Sequence, residues 1–256
     1  MKKLLIVSGD SYTANNYKSI LHPELDISWP VWPELLADRL NMECINLANA
    51  GSGNEFIYSS LLDKINTIEN KKSIGLVLAA WSQAQRKDFE EGCKIKKWKS
   101  YRIDSSGDIF GWTRKSIRNF INLQLLCEYF NLPYKQFQMI RLYEDYVTGL
   151  RPSHKQIIEN NYDGNYRLTY NGNKSEDIIS LFNITTEYKN TLNIKNFLGW
   201  PIIEQFSGYS IANKVLKTKI NNIDVWDSNL IISDLDHHPN AKGQQKLMEY
   251  IYDRLG

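Results

Sequence analysis

Residues 4–11 read LLIVSGDS: four apolar residues, Leu4 to Val7, then an abrupt break at Gly9-Asp10-Ser11. An unbroken apolar run with no polar alternation predicts a strand buried on both faces, and so one inside a parallel sheet. The break has two readings. Gly, Asp and Ser make an ordinary turn, because Gly tolerates unusual backbone angles while Asp and Ser bond their own backbone; the same turn can hold a serine hydroxyl out for chemistry.

The neighbouring pattern extends the first inference. Residues 44–48 (CINLA) and 74–80 (IGLVLAA) predict two further strands, with helices between them over 32–40 (WPELLADRL, Pro33 in its first turn) and 54–68. A helix over 116–132, a fourth strand over 134–140 and an amphipathic helix over 240–255, with Leu247, Tyr250, Ile251 and Leu255 on one face, continue the alternation. Strand and helix in turn, joined by right-handed crossovers, give a three-layer α/β/α sandwich on a parallel sheet of about five strands, flavodoxin-like in type. The 256 residues, 42% of them hydrophobic, suit a single domain over 1–256.

Ligands of such a sheet bind beyond the carboxyl ends of its strands, so the loops at 8–11, 49–54 and 81–86 are expected on one rim. Two segments interrupt the repeat. Residues 86–115 are polar and aromatic and predict a small hairpin around 104–108 (DSSGD). Residues 151–196, rich in Asn, Tyr and Asp with a helical EDIISLF at 176–182, read as an insertion over the active-site rim.

Charge narrows the partners. Lys and Arg number 31 against 29 Asp and Glu, a net charge of +2, which gives no reason to expect a nucleic acid. The richest basic stretch, 93–102 (CKIKKWKSYR), interleaves lysines with Trp98 and Tyr101; it reads as an anionic-polymer site or, as expected here, a solvated edge strand. Cys44, Cys93 and Cys127 form neither a disulfide framework nor a metal-site spacing, so a reducing, cytoplasmic location is expected. The opening MKKLL lacks the long apolar run of a secretion signal, and no stretch approaches the ~20 apolar residues of a membrane span. No membrane partner is expected.

Chemistry concentrates at 233–245 (SDLDHHPNAKGQQ), where Asp234, Asp236, His237 and His238 precede the last helix. A histidine beside a carboxylate has its tautomer fixed and its imidazolium stabilised, which is what a general base requires. A serine hydroxyl, a weak nucleophile at neutral pH, requires such a base. Four adjacent donors rarely converge on one ion, so neither a metal nor a cofactor is expected.

These blocks, in this order, resemble the SGNH (GDSL-type) hydrolase family. SGDSYT is similar to its first block and NLANAGSGN to its second; DHHPNAKG resembles its last, with Pro239, Asn240 and Gly243 following His238. The resemblance implies Ser11 as nucleophile, His238 as base and Asp236 as its partner. It also implies an oxyanion hole of the N–H groups of Ser11 and Gly51, with Gly53 as the alternative, and Asp10 as a brace of the first loop. The chain departs from the pattern where the family has Gly-x-Asn-Asp: here 78–86 reads LAAWSQAQR. Ser82 is the expected replacement for the missing Asn, with Gln83 second. Asp236 stands two residues before His238 where three is commoner, so Asp234 with His237 is a second register.

Asn54, Trp81 and Arg86, near the same rim, are expected to touch substrate, Arg86 as a clamp for a carboxylate. Ser11 as a mere helix cap is the plain alternative. The implied activity is a serine esterase acting on an O-acetyl ester of a small molecule or glycan, with Trp112, Tyr162, Tyr166 and Tyr170 available to stack on sugar faces. An acyltransferase using the same site and a non-catalytic glycan-binding or assembly protein are the other readings. Nothing in the sequence indicates an oligomeric state.

Overall fold

The computed structural model describes residues 2–92, 97–143, 175–221 and 223–255, apart from the side chains of 175–178 and 205. The described strands are β1 (Leu4–Ser8), β2 (Glu43–Asn46), β3 (Ile74–Trp81), β4 (Lys87–Glu91), β5 (Lys97–Tyr101), β6 (Tyr134–Gln138), β7 (Phe197–Leu198), β8 (Lys217–Ile220) and β9 (Ile223–Trp226). Five of them make one parallel sheet in the order β2-β1-β3-β6-β7, while β4-β5 and β8-β9 are separate antiparallel hairpins. This is the flavodoxin-like order, with its reversal of winding between β1 and β3.

Six described helices cover the sheet: α1 (Trp32–Arg39), α2 (Asn54–Thr67), α3 (Ile109–Tyr129), α4 (Ser175–Glu187), α5 (Ile211–Leu216) and α6 (Ala241–Tyr252). The strands divide their side chains between two cores. Leu5, Val7, Leu76, Leu78 and Ala80 pack with Trp32 and Leu36 of α1, Ile211 of α5 and Leu247 and Ile251 of α6. Ile6, Val77, Ala79 and Trp81 pack with Leu61 of α2 and Phe120 of α3 on the other face. Burial of both sides of β1 and β3 is why Leu5–Val7 and Leu76–Trp81 are apolar throughout.

Several boundaries differ from the sequence reading. β2 ends at Asn46 and not at Ala48, because Asn46 Oδ1 accepts the Ala48 N–H and turns the chain. β6 stops at Gln138, short of Ile140. α3 begins at Ile109 and not at Ser116, since the Asp108 carboxylate accepts the Gly111 N–H and caps it. The hairpin expected around 104–108 is instead a turn in which Asp104 accepts the Ser106 N–H; the true hairpin of this segment is β4-β5. The basic stretch supplies β5, a strand of that two-stranded ribbon, while residues 93–96 lie outside the described residues. Of the second expected insertion, 151–174 lies outside the described residues, and its remainder includes α4, which joins the core through Leu181 and Ile184. Just past its expected end, the two-residue β7 extends the main sheet beside β6.

The β4-β5 hairpin is anchored by one carboxylate. Asp88, 8% exposed, accepts the N–H of Gly53 at 2.9 Å and of Phe56 at 3.1 Å, so it caps α2 from outside the helix, and Ser100 Oγ adds a third bond at 2.5 Å. Asp88→Ala leaves the two amides without their acceptor and is expected to cost about 1–3 kcal/mol of stability, measured by urea unfolding.

Candidate active site

The chain leaves β1 into a single tight turn. Asp10 sits at its base with no solvent exposure: its carbonyl accepts the N–H of Thr13 and Ala14, both at 2.9 Å, and its Oδ1 accepts that of Tyr12. No helix starts at Ser11; the first begins at Trp32, because the intervening NNYKSILHPELDISWP has no helical apolar period and carries two prolines. Ser11 is therefore presented by a turn and is not a helix cap. Asn46 Nδ2 holds that turn from β2 by donating to the Thr13 carbonyl.

Ser11 Oγ lies 2.8 Å from His238 Nε2, and His238 Nδ1 lies 2.6 Å from Asp236 Oδ1. Two residues 227 positions apart are joined because the turn after β1 and the loop before α6 meet at the same rim. Asp236 Oδ1 also accepts the backbone N–H of His238, an Asx turn, and this local bond lets a two-residue spacing place the carboxylate against the ring. With the carboxylate ionised, Nδ1 carries the proton and Nε2 accepts from the serine. The His238 side chain keeps 23% exposure against 3% for Asp236, so solvent or a ligand reaches the ring and not the carboxylate.

The other oxygen, Asp236 Oδ2, accepts Tyr17 Oη at 2.7 Å and Ser19 Oγ at 2.5 Å. Burial alone would favour the neutral acid, but the bonds from His238, Ser19 and Tyr17 outweigh it and hold the carboxyl well below the usual range. Tyr17 also stacks its ring on His238, with centroids 3.9 Å apart and planes at 22°, and Tyr12 approaches the imidazole at 4.6 Å. Burial and the Asp236 bond push the Tyr17 phenol up, so it remains a donor. Neither Tyr17 nor Ser19 was legible as a site residue, since both lie in a loop without periodicity.

The second register is not assembled. His237 Nε2 meets the backbone carbonyl of Asp234, not its carboxylate, and the His237 ring stacks on Trp226. The last block is locked from below: Asn240 caps α6 by accepting the Gly243 N–H and donates to the carbonyls of Asn229 and Ile231. A Cβ on Gly243 would come within 2.0 Å of the Leu230 carbonyl, which accounts for a glycine there.

The third loop departs from expectation. Ser82 is fully buried; its hydroxyl donates to Asp10 Oδ2 at 2.9 Å and its N–H to Asn54 Oδ1 at 2.8 Å, so it ties β3 to β1 and has no donor left for a ligand. Gln83 is differently placed. Its Oε1 accepts Gln85 Nε2 at 3.2 Å and Arg86 Nε at 3.1 Å. A guanidinium can only donate, so the oxygen faces Arg86 and the Gln83 amide nitrogen is turned the other way.

The three expected substrate contacts are also structural. Trp81 is fully buried, with its indole N–H on Gln136 and its ring against Phe120. Asn54 is 2% exposed between Ser82 and Ser116. Arg86 spans the rim, bonding the Ser52 carbonyl at 2.8 Å and lying 3.7 Å from Asp10 Oδ2. Their place in sequence is beside the rim, but Trp81 and Asn54 turn inward and Arg86 is committed to the protein's own carbonyl and carboxylate. Trp112, expected as a sugar platform, is 4% exposed in the core, and Tyr162, Tyr166 and Tyr170 lie outside the described residues.

Of the two glycines considered, Gly53 has its N–H on Asp88. Gly51 sits exposed at φ +83°, a conformation that favours glycine, and among the described residues its N–H and that of Ser11 have no hydrogen-bond partner. No group of His, Cys, Asp and Glu that could hold a metal occurs among the described residues, and no described helix is long and apolar enough to cross a membrane.

No protein-family model matches the chain, and no curated protein does. Solved structures do. A protein assigned to the G-D-S-L lipolytic family from Desulfitobacterium hafniense DCB-2 is similar at 13% identity and a TM-score of 0.49, covering 99% of each chain. The psychrotrophic esterase EstA from Pseudoalteromonas sp. is similar at 14% and 0.46, covering 99% of this chain and 96% of that one. A variant of Axe2, an acetyl-xylooligosaccharide esterase from Geobacillus stearmophilus, is similar at 13% and 0.46, covering 100% and 94%. The chemistry of the site is read from its own geometry.

Tyr17→Phe removes one donor to Asp236 and keeps the ring. The Asp236 carboxyl is depressed in the folded state, so its contribution to stability is present above the unfolded value of ~3.9 and is lost as pH falls through the folded one. The variant is expected to lose about 1.5–3 kcal/mol at pH 7, a deficit that persists below the unfolded value of ~3.9 and shrinks only as pH falls through the depressed folded-state value. Urea unfolding at pH 7 and at successively lower pH checks both.

Proposed function

We propose that the chain is an SGNH-type serine hydrolase of carboxylic esters. The observation that carries this reading is the unbroken chain of bonds from Ser11 Oγ through the His238 imidazole to Asp236. Ser11 Oγ attacks the ester carbonyl carbon while its proton passes to His238 Nε2. The carbon–oxygen bond to the alcohol then breaks, and the imidazolium returns the proton to the departing oxygen. Water attacks the acyl-serine with the same base, the acid leaves, and Ser11 regains its proton. If a second alcohol replaces water, the site becomes an acyltransferase.

The oxyanion that forms in each half needs donors already in place. The N–H groups of Ser11 and Gly51 are assigned here, and the third donor is the Gln83 amide in place of the expected Ser82. Support for Gln83 is the fixed direction of its amide; evidence against Ser82 is the commitment of both its donors elsewhere. Asp236 ionised, with its second oxygen already satisfied, orients the imidazole and stabilises its positive charge.

The acyl group proposed first is acetyl. A saccharide as its alcohol retains support only from the tyrosines of 151–174, and a cytoplasmic location only from the cysteine pattern.

Ser11→Ala is expected to abolish hydrolysis of p-nitrophenyl acetate and labelling by a fluorophosphonate, with the thermal melt unchanged. Gln83→Ala is expected to lower kcat by ~10²–10³ with little change in KM. A Ser11→Ala variant as active as wild type would exclude the reading, and an unaffected Gln83→Ala would return the third donor to another group.

A further inference from the structure

Beside Ser11 and His238 a narrow pocket enters the face of the fold that carries α1 and α6. Its free volume is about 20 Å³, and its lining is mixed: Ala14, Ile27, Trp29, Val31 and Pro239 are apolar, while Asn15, Tyr17 and Gln244 join Ser11 and His238 as polar groups. A single water occupies ~10–15 Å³ of such space, so the enclosed part of the pocket is on the scale of a small group. Val31 and Pro239 are buried and Ala14 is 2% exposed, which makes the floor part of the packed core. Ile27 and Trp29 are only half-buried and stand on the segment leading into α1, so the size of the pocket is set from that side.

We propose that this pocket measures the acyl half of the substrate: it accepts the methyl of an acetyl ester, and Ile27 and Trp29 exclude longer acyl chains. The inference rests on Ser11 being the nucleophile. Once the carbonyl carbon is bonded to Ser11 Oγ, the acyl substituent lies one bond from that carbon, within reach of a pocket whose lining includes Ser11 itself. A methyl matches a space of this size and meets its apolar side at Ala14, Val31 and Pro239. A propyl or pentyl tail would have to push Trp29 outward or stay in water, and either lowers kcat/KM relative to acetate.

The experiment is kcat/KM for p-nitrophenyl acetate, butyrate and hexanoate with wild type and Trp29→Ala, and with Ile27→Ala as the second variant should Trp29→Ala fail to fold. A misfit methylene at an apolar pocket costs about 10–200-fold, so wild type is expected to prefer acetate over hexanoate by at least ~100-fold. Either variant, with a cooperative thermal melt, is expected to compress that ratio to below ~10-fold, mainly by a gain on the longer esters. A wild type that cleaves hexanoate as well as acetate in a Ser11-dependent way overturns the pocket's role while leaving the hydrolase reading intact. A ratio unchanged in both folded variants overturns the assignment of Ile27 and Trp29. Absence of Ser11-dependent turnover on all three esters, together with absence of fluorophosphonate labelling, overturns the hydrolase reading and this inference with it.

Discussion

The carboxylate of Asp236 is the interaction on which the assembled site depends. One oxygen holds the His238 ring and backbone, and the other takes hydroxyls from Tyr17 and Ser19. A buried charge is tolerated only when its lone pairs are satisfied, and here donors from residues more than two hundred positions apart share the work. The segment between β1 and α1, which has no regular structure to stabilise it, is thereby fastened to the loop that precedes α6. His22 adds a tie to Ser233, and Tyr12 a bond to the His237 carbonyl. Burial and the charges of Asp10 and Asp236 push the Tyr12 phenol up, so that it too remains a donor.

A second buried carboxylate does the corresponding work between β1 and β3. Asp10 Oδ1 shapes the turn that presents Ser11, and Oδ2 accepts Ser82 Oγ, with Arg86 close by and reaching on to the carbonyl of Ser52 beside Gly51. The point where strand order reverses would otherwise be a gap between diverging loops. Tying all three loops to one carboxylate turns that gap into a rim of set geometry.

The strands, the major helices and the serine–histidine pairing were legible because they leave periodic or composition signals. Leu4–Val7 is apolar because both faces of β1 are covered, and His-Pro-Asn is recognisable because Asn240 caps a helix and Gly243 must pass close to Leu230. Side-chain direction at the rim was not legible. Trp81, Asn54, Ser82 and Arg86 all fall in the right stretch of chain, but which of them faces the core is settled by partners distant in sequence: Gln136, Ser116, Asp10 and Ser52. The early start of α3 carries a signal in Asp108, a capping residue that also fits a turn. The two-residue β7 carried none, because a strand that short has no period to detect.

The replacement of an expected Asn by the stretch Ser82-Gln83 also follows from this economy of buried anions. A donor held on a short side chain at the end of β3 would have to come from residue 82, but that hydroxyl is committed to Asp10 Oδ2 and closes the turn under Ser11. Moving the donor one residue onward requires a longer side chain to regain the distance, and glutamine has one more rotatable bond than asparagine. That extra freedom would cost binding order each time an oxyanion formed. Arg86 and Gln85 remove it in advance by gripping the Gln83 oxygen from two directions. The guanidinium that lies beside Asp10 also holds the Gln83 oxygen, so the turn that carries Ser11 and the orientation of the Gln83 amide are tied to one residue.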